Sequence, residues 1–111
     1  MSKVYFSLTP KNKIIIYGAG GLGVHQAQQL MDAGYNVVAF FDQNPNNHNL
    51  PISIPIYSIA DNVSVFNDKT HIIVIICLHN ALWHQDIALS LNKLGYENIL
   101  FLPIGERYNF S

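Results

Sequence analysis

The residues with the clearest chemical meaning are a group of glycines and one aspartate. Gly18, Gly20 and Gly23 follow the spacing G-x-G-x-x-G, with Gly21 and Leu22 inside it. Glycine at the first position permits a tight turn. At the second it lets an anion approach the backbone, and at the third it lets a helix lie close against a strand. The amide N–H groups opening that helix then point outward at the positive end of the peptide dipoles, a cradle for a phosphate. Asp42 follows about twenty residues after the last glycine, the separation at which an acidic side chain accepts from ribose hydroxyls. We therefore expect Gly18, Gly20, Gly21, Leu22, Gly23, Asp42 and the adjacent Gln43 to contact a nucleotide. The competing expectation is that the glycines only form a tight corner in a fold that hosts many functions.

Dinucleotides, nucleotide sugars and S-adenosylmethionine all present a ribose to an acid in this position. The third glycine is the dinucleotide version of the motif, and no Arg or Lys follows Asp42 until Lys69. Nothing local would pair a 2′-phosphate, so NAD is expected over NADP.

Residues for catalysis are sparser. A short-chain dehydrogenase needs a Tyr-x-x-x-Lys pair, and none of the six tyrosines has a lysine four residues on. Cys77, His79 and Asn80 fall where a strand ends, at the sheet edge that binds ligands in doubly wound proteins. A Cys-His pair can make a nucleophile. The plainer reading makes Cys77 a small core residue and Asn80 a helix N-cap, leaving His79 to contact a bound nucleotide. His79 and His84 do not share a helical face, and no Asp, Glu or Cys completes a metal site around them, so no metal is expected. His84, Trp83 and Tyr96 read as packing residues, and His25 as a solvated histidine.

The elements that must position these groups are legible from periodicity. Lys13 to Tyr17 contains Ile14, Ile15 and Ile16, a run suited to a strand buried on both faces. Ala27, Leu30 and Met31 fall at helical spacing, with Gln26, Gln28, Gln29 and Asp32 on the other side and Gly34 as the stop. Val37 to Phe41 is a second strand, and the cluster Gln43-Asn44-Pro45-Asn46-Asn47 is a loop. A short edge strand is expected near Ile54 to Tyr57, limited by Pro51 and Pro55, and Ser58 can cap a short helix to about Val65. Thr70 to Cys77 is a central strand, Asn80 to Leu94 a longer helix stopped by Gly95, and Asn98 to Leu102 a final strand. Strands alternating with helices predict an α/β, Rossmann-like, doubly wound parallel sheet of about five strands in the order 3-2-1-4-5.

Bulk composition sets the outer limits. The chain has 111 residues, the size of one domain, with an N-terminal extension over 1–11 and an apolar C-terminal tail over 103–111. Hydrophobic residues make up 50% and charged residues only 12%, which favours a sheet covered on both faces. A net charge of -1 with six dispersed Lys and Arg offers no basic stripe, so no nucleic-acid partner is expected. The single cysteine fits a reducing compartment, and no apolar run approaches the roughly 18 residues of a membrane span. A cytoplasmic protein is expected. The apolar end, with Phe101, Leu102, Pro103, Ile104, Tyr108 and Phe110, suggests a homo-oligomer or a covalently linked catalytic domain.

Three segments resemble a known group. Tyr17-Gly18-Ala19-Gly20-Gly21-Leu22-Gly23, Val38-Ala39-Phe40-Phe41-Asp42-Gln43-Asn44-Pro45 and Ile54-Pro55-Ile56-Tyr57 are similar to the N-terminal nucleotide-binding domains of sugar-nucleotide-modifying enzymes. Such domains precede membrane-associated epimerase-dehydratases and acetyltransferases that act on nucleotide-linked amino sugars. Leu91 to Tyr96, and Phe101-Leu102-Pro103-Ile104 through Arg107-Tyr108, also resemble the Rossmann segment ahead of FkbM-type methyltransferase domains. The resemblance implies an accessory or substrate-holding module of glycan or polysaccharide biosynthesis. It places the ligand contacts at Gly18, Gly20, Gly21, Gly23 and Asp42. Two other expectations stand beside it: a small NAD-dependent oxidoreductase completed by a partner chain, and an interaction domain with a vestigial site.

Overall fold

In chain order the elements are β1 (Lys13–Tyr17), α1 (Gly21–Asp32), β2 (Asn36–Phe41), β3 (Ile56–Tyr57), a 3₁₀ turn (Lys69–His71), β4 (Ile72–Cys77), α2 (His84–Lys93), β5 (Asn98–Leu102) and β6 (Glu106–Arg107). The computed structural model describes residues 11–43, 53–59, 66–78, 84–102 and 106–107. All six strands form one sheet in the order β3-β2-β1-β4-β5-β6. The first five are parallel, in the expected order 3-2-1-4-5, and β6 adds antiparallel to β5 with Leu100 opposite Arg107. This sixth strand falls in the stretch read from sequence as a tail. Two residues are too few to show the alternation that marks a strand.

The isoleucine and valine runs occupy the centre because a strand covered on both faces needs apolar side chains at every position. Ile14 and Ile16 face the α1 side with Ala27, Leu30, Phe40, Ile73 and Ile75. Ile15 and Tyr17 face the α2 side with Phe41, Val74, Ile76, Ile87, Leu91 and Tyr96. Aromatic rings close this second layer: Phe41 meets Tyr96 edge-on at 5.7 Å and Phe66 at 6.5 Å.

The helix α1 ends as the sequence predicts. The Gly34 N–H donates to the Met31 carbonyl at 3.0 Å and the Tyr35 N–H to Leu30 at 2.9 Å, a closure that puts Gly34 at φ +93°. Elsewhere the boundaries move. The strand expected from Thr70 begins at Ile72, because residues 69–71 form a turn in which the His71 N–H donates to the Asp68 carbonyl. Lys69 and Thr70 are engaged by the neighbouring β5 end instead: Lys69 Nζ donates to the Leu94 carbonyl at 2.8 Å, and Asn98 Nδ2 donates to the Thr70 carbonyl at 2.8 Å. The edge strand shrinks to Ile56–Tyr57, since Pro55 has no N–H, although its carbonyl still accepts from Phe40 at 2.9 Å. The expected helix after Ser58 and the expected start of α2 at Asn80 lie outside the described residues.

Between β1 and β4 the connection changes direction: β1 leads outward to β2 and β3, β4 to β5. Carboxyl ends of the strands diverge at such a point and leave a crevice. The glycine turn sits there.

Candidate functional site

Gly18 begins the turn after β1, wedged between β2 and β4. Its N–H donates to the Phe41 carbonyl at 2.7 Å. Its φ of +107° and the Cys77 carbonyl, 2.7 Å from where a Cβ would stand, leave room for no other residue. Gly23 is required for packing: a Cβ there would lie 1.8 Å from the Gly18 carbonyl oxygen, so only a bare α-carbon lets α1 close onto the end of β1. Gly20 and Gly21 are different. Nothing stands within 4 Å of a Cβ built at either, and both are exposed. A corner alone therefore explains Gly18 and Gly23 and leaves Gly20 and Gly21 unexplained.

Gly20 is the N-cap of α1, in extended conformation, and no side chain among the described residues caps the helix. The first turn holds no acidic residue that would repel or displace an incoming anion at the opening amides. Leu22 turns away, half-buried against the α1-side core.

Asp42 is tied to this turn. Its Oδ2 accepts the Ala19 N–H at 2.8 Å, and its own N–H donates to the Tyr57 carbonyl at 3.0 Å. One residue thus joins the ends of β1, β2 and β3. Burial, and then the negative charge of Asp42, raise the Tyr17 hydroxyl above the usual tyrosine range, so Tyr17 remains a donor at neutral pH. Gln43 is exposed beside Asp42.

Sequence reasoning missed a cavity next to the turn. It measures about 380 Å³. Tyr17, Gln43, Ser58 and Ile59 line it from the strand ends, and Asp86, Ile87 and Ser90 from α2. The available signal was positional: the residues just after β2 and β3 must lie at the carboxyl edge of the sheet.

Of the reactive cluster weighed from the sequence, only Cys77 lies among the described residues. Cys77 is buried, and burial pushes its thiol up to about 12, so it is no nucleophile at neutral pH. His79 and Asn80 lie outside the described residues, as does Trp83. The described lysines, Lys11, Lys13, Lys69 and Lys93, stand at the opposite edge of the sheet, before or at the start of β1 and β4 and in the last turn of α2. Lys13 pairs there with Asp68 at 3.5 Å. The turn thus offers backbone dipoles and carboxylates rather than lysine side chains.

Comparison with known proteins agrees with this geometry. The chain is similar to the structure of UDP-D-quinovosamine 4-dehydrogenase from Vibrio fischeri, with 26% identity and a TM-score of 0.71 over 91% of this chain and 94% of that one. It is similar to RSP, a Rex-family repressor, with 27% identity and a TM-score of 0.67, over 89% of this chain and 49% of that one. The complex of RSP with beta-NADH matches at 25% identity and a TM-score of 0.67, over 97% of this chain and 54% of that one. The chain thus spans about half the length of the repressor. No curated protein matches it. The family model for the PglD N-terminal domain matches residues 13–81, from the start of β1 to beyond β4 and so across the glycine turn and Asp42. The chain belongs to the PglD N-terminal domain family.

Proposed function

We propose that this Rossmann domain binds a nucleotide, with the diphosphate on the amides that open α1 and a ribose hydroxyl on Asp42. The observation that carries this reading is the open space over Gly20 and Gly21, beside a helix start that no side chain caps among the described residues. Asp42 stands where β2 ends beside the glycine turn, with Oδ2 on the Ala19 N–H, the position at which an acidic side chain accepts from a ribose hydroxyl.

NAD and a nucleotide sugar are the ligands of this reading. The similar structures include a UDP-D-quinovosamine 4-dehydrogenase and a complex of a Rex-family repressor with beta-NADH. NADP is disfavoured, since no cation lies between Asp42 and Lys69 in sequence and the described lysines stand at the far edge. S-adenosylmethionine would engage Asp42 but brings a single carboxylate, not a diphosphate, to the amides that open α1. The domain acts as a substrate-holding or accessory module in glycan biosynthesis, associated with a catalytic domain or with a second copy through its apolar C-terminal run. An oxidoreductase completed by a partner chain is the second reading. It is favoured by the match to 94% of the Vibrio fischeri dehydrogenase chain. DNA is set aside despite the match to RSP with operator DNA, because the net charge is -1 and only 45% of that chain is matched.

Thermal-shift titration with NAD, NADP, UDP-sugars, CMP-sugars and S-adenosylmethionine tests the reading, since a ligand selective for the native state raises the melting temperature. A rise with NAD or a nucleotide sugar that is lost in Gly20→Val supports it. No rise with any nucleotide overturns it.

A further inference from the structure

A diphosphate brings two negative charges to the glycine turn, and little described there offsets them. The amides that open α1 are worth about half an elementary charge, and Asp42, fastened to the Ala19 N–H, adds a carboxylate of the same sign as the ligand. Such a balance calls for a cation. Among the described side chains able to carry positive charge, Lys11, Lys13, Lys69 and His71 stand before or at the start of β1 and β4, and Lys93 in the last turn of α2, all at the amino edge of the sheet. His25 alone stands at the carboxyl edge, in the N-terminal half of α1.

Its position on the helix gives that charge a direction. In an α-helix the Cα–Cβ bond tilts toward the N-terminus, so a side chain borders the surface over the residue four positions earlier, about 5–6 Å away between β-carbon positions. For His25 that residue is Gly21. Nothing stands within 4 Å of a Cβ built at Gly21 or at Gly20 before it, so the imidazole borders an uncovered helix start. His25 is exposed, and its ring has no hydrogen bond or ion pair among the described residues. No internal contact has to break for it to meet a ligand.

We propose that His25 binds the diphosphate, donating a ring N–H to a phosphate oxygen held over Gly21 and supplying the positive charge that the glycine turn lacks. An N–H from a charged ring to a phosphate is among the stronger hydrogen bonds available to a side chain. The bound anion in turn favours the protonated imidazole. A side chain of this kind on Gly21 itself would occupy the phosphate's place; one helical turn further on, it closes the outer side of the cradle and leaves the amides open. The inference rests on the nucleotide reading of the glycine turn.

Calorimetric titration of the whole chain with NAD and with UDP-N-acetylglucosamine tests it, in the natural sequence and in His25→Ala, His25→Lys and His71→Ala. Both histidines are exposed, so the variants are expected to fold, and their melting temperatures check this. His25→Ala should weaken the probe that binds by about tenfold, the scale of one hydrogen bond to a charged group. His25→Lys, which keeps a donor and the charge, should stay within about threefold of the natural chain. His71→Ala removes a histidine at the far edge and should change nothing. Unchanged affinity in His25→Ala, an equal loss in His71→Ala, or a loss in His25→Lys as large as in His25→Ala overturns the assignment; the cradle still stands in that case if Gly20→Val abolishes binding. Binding of neither probe to the natural chain removes the cradle, and this inference with it.

Discussion

The carboxylate of Asp42 accepts the backbone N–H of Ala19 at 2.8 Å, which fastens the end of β2 to the glycine turn that follows β1. The residue expected from sequence to hold a ribose therefore also fixes the shape of the glycine turn proposed as the phosphate cradle. Backbone amides bind anions well only when held in place, so this bond prepares the site before a ligand arrives.

Two substitutions separate the roles of Asp42. Asp42→Ala removes the acceptor and should cost about 1–3 kcal/mol in urea unfolding, the range for stranding a partly buried partner. Asp42→Asn keeps an oxygen for Ala19 and should retain most of that stability, while nucleotide affinity falls about tenfold as a charged acceptor becomes neutral. Equal stability losses in both variants would show that charge, rather than the Ala19 hydrogen bond, is what Asp42 contributes to the fold.

The glycines divide in the same way. Gly23→Ala places a methyl group 1.8 Å from the Gly18 carbonyl oxygen, and should destabilise by more than about 3 kcal/mol or prevent folding, beyond ordinary overpacking. Gly20→Ala meets open space at an extended backbone position, and should leave stability within about 1 kcal/mol. Gly20→Val should abolish nucleotide binding in a folded protein. Circular dichroism melts and titration on the same samples decide this; full affinity in Gly20→Val moves the phosphate elsewhere.

Much of this was readable in the residues, for identifiable reasons. Ile14-Ile15-Ile16 and Ile72 to Ile76 mark central strands because burial on both faces removes polar residues. The glycine spacing marks the turn because steric exclusion by Cys77 and by Gly18 itself tolerates no side chain at positions 18 and 23. The cavity was not readable. Tyr17, Ser58 and Asp86 come from segments far apart in sequence, and they meet because a strand of two residues, Ile56–Tyr57, pairs with β2 while α2 packs on the same face. No local pattern encodes that. The turn at Lys69–His71 was hidden likewise, since its partners Leu94 and Asn98 lie beyond α2.

Tyr96 is fully buried, and its hydroxyl oxygen has no hydrogen-bond partner among the described residues. Its ring carries the packing, edge-on to Phe41 at 5.7 Å and 5.5 Å beneath Lys69 Nζ. Tyr96→Phe keeps these contacts and deletes an unsatisfied polar atom, so stability should be unchanged or higher by about 1 kcal/mol. Tyr96→Leu should lose about 2 kcal/mol or more with the aromatic contact and ring volume. A clear loss in Tyr96→Phe would show that the hydroxyl is satisfied in solution, most simply by a buried water.

Alkaline pH should expose the cost of burying ionisable groups. Burial raises Cys77 from its usual 9.0 to about 12 and Tyr96 from 10.0 to about 12. Both groups are neutral when protonated, so the unfolded chain loses these protons first as pH rises, and ionisation pulls toward unfolding. Their stabilising contribution is complete below the unfolded value, 9.0 for the thiol, and is lost progressively toward about 12. The urea midpoint should hold steady between about pH 6 and 8 and then fall, approaching about 1.4 kcal/mol per pH unit for each group once its unfolded form is ionised. Cys77→Ala removes the earlier of the two ionisations, so the decline should start nearer 10.0, the usual tyrosine value. An unaltered onset in that variant would mean that the Cys77 thiol ionises as readily in the folded protein as in the unfolded chain. The residue would then be open to solvent at the mouth of the crevice, and its exclusion as a reactive group at the nucleotide site would no longer hold.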